Sequence, residues 1–185
     1  IYDQKKIRLI DIPEPSPKGE PGHLLVQPEL GCLCGSDVPY WEGFHNPEML
    51  LQPGHSLHEI VARVLVSGDS IREEGSRIVC KVPDQRGLRE RFWLPEIEAV
   101  PLPPELSNEQ CVLAQPLGTV ILALRKIPSL SGKTAVVVGQ GPMGQLWNAA
   151  LKVHNASRII GIDPVPERLE TSRHMGATDV VNPST

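Results

Sequence analysis

The sequence predicts a β-rich N-terminal half joined to an open parallel α/β unit. Three observations carry this. Short β-forming runs separated by Pro and Gly fill the chain to about residue 105. Apolar residues at helical spacing appear after Ser107. From Thr134 to Val181 the text then runs strand, glycine turn, helix, strand, helix, strand, which demands a parallel sheet.

Taken in order, the β-forming runs are Ile7 to Ile12, Leu24 to Gln27, Ile60 to Val66, Arg77 to Val82 and Glu90 to Leu94. Most of the 19 prolines lie in this half, as in PEPSPKGEPG and PLPPEL, where they set rigid turns and exclude central-strand positions. This is the pattern of a small, irregular barrel or sandwich. Ser107 is a good helix cap with Glu109 behind it, and Pro116 is expected to kink or break the helix that follows. Beyond SLSGK come a strand at Thr134 to Val138, a helix at Met143 to Val153, a strand at Arg158 to Asp163, a helix at Glu167 to His174 and a strand at Asp179 to Val181.

Composition narrows the function. A chain of 185 residues can build one or two domains with real cores, and 40% hydrophobic content is ordinary for a globular protein. The net charge of -4, with scattered Lys and Arg, gives no basic stripe for nucleic acid. No apolar run approaches the roughly 20 residues that span a bilayer, and no signal peptide is evident. Four unevenly spaced cysteines do not make a disulfide framework, so reduced thiols and a cytoplasmic location are expected. The chain opens at Ile1 without Met and stops just after a third Rossmann-type strand, so it reads as the front portion of something longer.

The segment AVVVGQGPMG fits the dinucleotide fingerprint GxGxxG. Gly139 would allow the tight turn, Gly141 the approach of backbone to pyrophosphate, and Gly144 close packing of helix on strand. The helix N-terminus, with Pro142 and Met143, then faces the phosphates. Asp163 closes the second strand where a carboxylate accepts from the adenosine ribose, and its charge favours NAD over NADP. Arg168 completes the cofactor candidates. The alternative readings are a plain glycine turn and, for Asp163-Pro164, a strand-end turn.

Upstream, the stretch GCLCGSDVPYWEG is followed by PGHSLHEIVARV. Gly31 with Cys34-Gly35-Ser36-Asp37, Tyr40-Trp41-Glu42, Gly54-His55, Gln115-Pro116-Leu117 and Gly139 to Gly144 together resemble the medium-chain dehydrogenase/reductase superfamily. The likeness is strongest to its zinc-dependent polyol branch, which includes sorbitol and glucose dehydrogenases. The resemblance implies a mixed fold, α/β plus β-rich. A GroES-like (chaperonin-10-like) catalytic barrel over 1–117 would precede the first half of a Rossmann parallel sheet over 118–185.

It also implies an oxidoreductase passing hydride between a secondary alcohol or polyol and NAD. Cys34 and His55 match the first two ligands of a catalytic zinc, and Gln115 stands near the metal. Ser36 matches a hydroxyl that relays the substrate proton, and Asp37 a carboxylate that orients the zinc-bound histidine. Tyr40 and Trp41 would line the substrate cleft, and the full-length form would be a homo-oligomer. Zinc suits such a task, since it lowers the pKa of a bound oxygen from about 16 to roughly 7.

The sequence departs from the family pattern at several points. The second motif of the family reads Gly-His-Glu, whereas Ser56 follows His55 here, and Glu59 replaces a glycine three positions on. Gln115 stands where a glutamate is usual. Cys34 and His55 are thus left without a strong third ligand. His58 or Glu59 could substitute, although strand alternation sets His55 and His58 on opposite faces. The segment KVPDQRGLRERFW lacks the four-cysteine lobe of the metal-rich branches, so no structural zinc is expected, and Cys80 and Cys111 read as core thiols. The second half of the Rossmann sheet, which grips the nicotinamide, is not in this sequence, so the chain itself is expected to be inactive. Two alternatives stay open: a metal-free reductase of carbonyls or quinones, and a non-catalytic nucleotide-binding member.

Overall fold

The computed structural model describes residues 3–16, 18, 21–43, 52–68 and 72–184. Pro17 and Gly19-Glu20 of the first proline cluster lie outside them. The chain divides into two compact units, Ile1–Gln115 and Pro116–Thr185.

The first unit is built on a five-stranded antiparallel sheet of order β4-β1-β2-β3-β5. Its strands are β1 (His23–Cys32), β2 (Glu59–Val66), β3 (Arg77–Lys81), β4 (Phe92–Pro95) and β5 (Ala99–Pro101). A short helix α1 (Val38–Glu42) follows β1, and α2 (Asn108–Val112) follows β5. The central strand EIVARVLV is buried on both faces, which its unbroken β-branched character anticipates. Ile60, Ala62 and Val64 point into a core with Leu24, Val26, Ile78, Phe92 and Leu94. Val61, on the opposite face, packs with Cys111 and Val112 of α2. Pro28 is accommodated because the β1–β2 register shifts between Pro28 and Leu30. Cys80 and Cys111 are core thiols, and burial pushes the Cys80 thiol up to about 12.

Residues 7–12 form no strand, contrary to the sequence reading; Leu9 is 96% exposed there. The run has strand-forming side chains, but among the described residues no strand pairs with it. Ser107 caps α2 as expected, its Oγ accepting from the Gln110 N–H at 3.3 Å while Gln110 Oε1 accepts from the Ser107 N–H at 3.0 Å. The break before the next helix falls at Leu113 rather than at Pro116. Proline is tolerated in a first helical turn, where its missing N–H has no partner to lose. That helix, α3 (Ala114–Leu124), runs through the division between the units.

The second unit is a three-stranded parallel sheet, β6 (Thr134–Val138), β7 (Arg158–Ile162) and β8 (Asp179–Val181), in that order. Helices α4 (Pro142–Val153) and α5 (Pro166–Met175) connect the strands. Ala135, Val137, Ile159 and Val180 pack with Leu146, Ala150 and Leu151 of α4 and with Val120 and Leu124. Side chains of the other parity, in the register Val138–Ile162–Val181, occupy the opposite face. On it Val136 is 56%, Val138 80% and Val181 45% exposed. Arg158 spans to β8 through a bidentate pair with Asp179, at 2.9 and 3.1 Å. No helix among the described residues is long and apolar enough to cross a membrane.

Candidate functional site

β1 ends at Cys32, but the chain stays extended through Cys34, with φ -96° and ψ 155°, before turning into the 3-10 turn Gly35–Asp37. Asp37, only 5% exposed, folds back so that its Oδ2 accepts from the Cys34 N–H at 2.8 Å. Cys32 pairs with Glu59 in the β1–β2 ladder. Cys34, two residues further on, therefore lies on the same side as Glu59. The outcome is a convergence of Cys34, His58 and Glu59, whose ligand atoms all lie within 4.8 Å of one another.

The chemistry of that group fits a metal ion. A thiolate, an imidazole and a carboxylate are normal zinc donors, and zinc would draw them to roughly 3.4–3.8 Å apart. Glu59 is 5% exposed, and a buried carboxylate calls for a cation nearby. Asp37 Oδ1 faces His58 Nδ1 at 3.7 Å, too far for a hydrogen bond, and both atoms are buried without one. The crowding of negative groups is felt by Cys32, whose thiol is pushed up by burial first and then by Glu59, Cys34 and Asp37.

This group differs from the expected ligand set of Cys34, His55 and Gln115 in two of its three members. His55 is not part of the group: it is 1% exposed, with its ring edge-on to Tyr40 at 4.4 Å between centroids. The reason is the turn ahead of β2. Gly54 is left-handed at φ +88°, and regular pairing of β2 with β1 begins only at Glu59, so His55 turns into the protein and His58 reaches Cys34. The signal was in the sequence, as the dipeptide His58-Glu59 directly before a β-branched run. Ser36 is exposed beside Asp37. Gln115 is half-buried and lines a shallow depression with Val79, Cys80, Lys81 and Ala114.

In the second unit the glycine turn has the geometry its pattern predicts. Gly139 is left-handed at φ +87°, and its N–H donates to Ile162 O at 2.8 Å. Gly141 caps α4, with Pro142 at the first helical position and Met143 exposed. Gly144 is pressed onto the Gly139 carbonyl so closely that no Cβ fits. Gln140, 1% exposed, donates to Val137 O and accepts from Asn148 Nδ2 and Ser172 Oγ, each at 2.7 Å. Sequence reading passed over this glutamine, because the fingerprint leaves its position open.

Asp163, 3% exposed, accepts from the Gln140 N–H at 2.7 Å and the Val165 N–H at 2.8 Å, and Arg168 stands 3.6 Å away. The two backbone donors, Gln140 first, hold its carboxyl below the usual carboxylate range, with a smaller contribution from Arg168. Arg168 also lines a depression with Gln140, Gly141, Pro142, Gln145, Glu167 and Thr171. Because the folded pKa is depressed, the stabilisation is present above the unfolded value and is lost as pH falls through the folded one. Asp163→Asn should therefore lower stability at neutral pH and flatten its acid dependence, as measured by urea unfolding at pH 7 and pH 4.

Among curated proteins, the chain is 30% identical, over 97% of its length, to "Probable D-xylulose reductase A" of Arthroderma otae. It is 28% identical, over 86% of its length, to L-idonate 5-dehydrogenase (NAD(P)(+)) of Escherichia coli. The chain belongs with the zinc-dependent medium-chain dehydrogenases. It spans 58% and 56% of the lengths of those two dehydrogenases. Among solved dehydrogenase structures, 2R,3R-butanediol dehydrogenase from Bacillus subtilis superposes with a TM-score of 0.81 at 28% identity, covering 100% of this chain and 62% of that one. No family model matches the chain. The resemblance read from the motifs and the predicted fold class are both borne out. Set against the medium-chain dehydrogenase pattern, the His-Glu pair of this chain is His58-Glu59, three residues later than the Gly54-His55 step suggested.

Proposed function

We propose that this chain carries the metal and adenosine-binding portions of an NAD-dependent dehydrogenase acting on a secondary alcohol or polyol. The observation that carries this reading is the convergence of Cys34, His58 and Glu59 at the end of β1. These three residues would hold a catalytic zinc, leaving its fourth position for water or substrate. When bound, zinc polarises the alcohol oxygen and makes its proton easier to remove.

The rest of the chemistry belongs to the chain's own side chains. The Asp37 carboxylate, 3.7 Å from His58 Nδ1, would bias that ring electrostatically from its Nδ1 side, which leaves the other ring nitrogen for the metal. Ser36, exposed next to it, receives the substrate hydroxyl proton and passes it to solvent. Gly139, Gly141 and the start of α4 receive the pyrophosphate, and Asp163 accepts from the ribose hydroxyls while repelling a 2′-phosphate. Each Asp163 oxygen takes one backbone N–H, leaving acceptor capacity for a sugar hydroxyl.

The test is direct. The purified chain, prepared without chelators, should contain close to one zinc per molecule by elemental analysis. Calorimetric titration should show NAD binding more tightly than NADP. Metal-free protein that takes up no zinc on titration would remove the dehydrogenase reading of the first unit.

A further inference from the structure

The loop between β3 and β4 is fastened to the segment that delivers His58 and Glu59. It carries the run Asp84-Gln85-Arg86-Gly87-Leu88-Arg89. Leu57 N–H donates to Gln85 O at 3.0 Å, Gly87 N–H to Leu57 O at 2.9 Å, and Leu88 N–H to Gly54 O at 2.8 Å. Arg86 Nε adds a bond to Pro53 O at 2.9 Å. Arg89 Nε closes the loop onto Arg86 O at 2.6 Å, while its guanidinium lies 4.6 Å over the Phe92 ring. Asp84 stands 3.6 Å from Arg86 and 3.8 Å from Arg89.

The fit is close enough to fix position as well as pairing. A Cβ on Gly87 would run into the Ile60 side chain and the Leu57 carbonyl, and one on Gly54 would meet Arg89 Cγ at 2.5 Å and Arg86 O at 3.0 Å. The loop thus grips Pro53, Gly54 and Leu57 on one side of His58, and Ile60 on the other. Regular pairing of β2 with β1 starts at Glu59, so nothing in that ladder fixes residues 53–57. A short segment held only by its own turn would sample many conformations, and the positions of His58 and Glu59 would spread accordingly.

We propose that Arg86, Gly87 and Arg89 are positioning residues of the metal centre, setting His58 and Glu59 against Cys34 through residues 53–57. Their role is that of an outer shell acting on backbone, where the more usual device is a hydrogen bond to the ligand side chain. The proposal rests on the zinc reading given above. It goes beyond that reading by assigning a metal-binding role to a loop that contains no ligand.

The experiment compares wild type, Arg86→Ala, Arg86→Lys, Gly87→Ala and Arg91→Ala in the 185-residue chain. Zinc affinity is measured by chelator competition, and cobalt is titrated to read the thiolate-to-cobalt absorption and the ligand-field bands. Near-ultraviolet circular dichroism and thermal melting of the metal-free proteins report folding. Arg86→Ala and Gly87→Ala should bind zinc about 10- to 100-fold more weakly, with altered cobalt spectra. Arg86→Lys should recover part of the loss by donating to Pro53 O. Arg91→Ala, at the outer end of the loop where Arg91 meets Glu14, should match wild type.

Folded Arg86→Ala with wild-type zinc affinity and cobalt spectrum would overturn the proposal, even if Gly87→Ala fails to fold. Equal weakening by Arg91→Ala would overturn it too, by showing a general loss of stability. Wild-type protein that binds neither metal would instead bring down the zinc reading, and with it this one, before any variant is compared.

Discussion

Replacing His58 by alanine should strip zinc from the purified chain, whereas replacing His55 should leave the zinc content unchanged. His58 is one of three donors within 4.8 Å of each other, so its loss leaves Cys34 and Glu59 as a two-ligand site. Outer-shell changes commonly cost about 10- to 100-fold in metal affinity, and a lost ligand exceeds that. His55→Ala removes a fully buried ring packed edge-on to Tyr40. Its cost falls on stability, about 3 kcal/mol from the cavity and the lost aromatic contact. Elemental analysis with thermal melts separates the two variants. Zinc retained in His58→Ala and lost in folded His55→Ala would reverse the ligand assignment.

Alanine at Gly144 and alanine at Gly141 should fail in different ways. At Gly144 the new Cβ meets the Gly139 carbonyl, which is backbone and has no rotamer to escape into. α4 must lift away from β6, so stability falls by about 3 kcal/mol and NAD affinity falls at least tenfold. At Gly141 an added Cβ has nothing within 4 Å, and φ is an ordinary -72°. Gly141→Ala should therefore melt like wild type, yet it places a methyl where the pyrophosphate must approach, with a similar loss of NAD binding. Calorimetric titration and urea unfolding measure both quantities. A Gly141→Ala variant that binds NAD normally would remove the glycine turn from the cofactor reading.

Much of this was legible in the residues. The second unit announced itself because each βα turn places its glycines and acid where the strand ends, and every strand from Thr134 onward lies within a residue of its expected bounds. The first unit was read less well. Ile7 to Ile12 has strand-forming side chains but forms no ladder among the described residues, and strand pairing cannot be read from a single run. Pro116 breaks no helix, because a first helical turn accommodates it. The choice between His55 and His58 turns on the segment just ahead of a strand. Neither histidine lies in β2, so alternation does not apply to them; regular pairing begins at Glu59, after the turn at Gly54, and leaves His58 beside Cys34.

The valine ridge on the face of the β6–β7–β8 sheet opposite α4 has a practical outcome for anyone handling this polypeptide. A net charge of -4 spread over 185 residues gives weak mutual repulsion between molecules in a concentrated stock. As mild acidification protonates the six histidines, the net negative charge and its repulsion shrink while Val136, Val138 and Val181 stay wetted, so turbidity should set in first on the mildly acidic side of neutrality. Alkaline, dilute storage, or Val138→Glu, would keep the preparation clear.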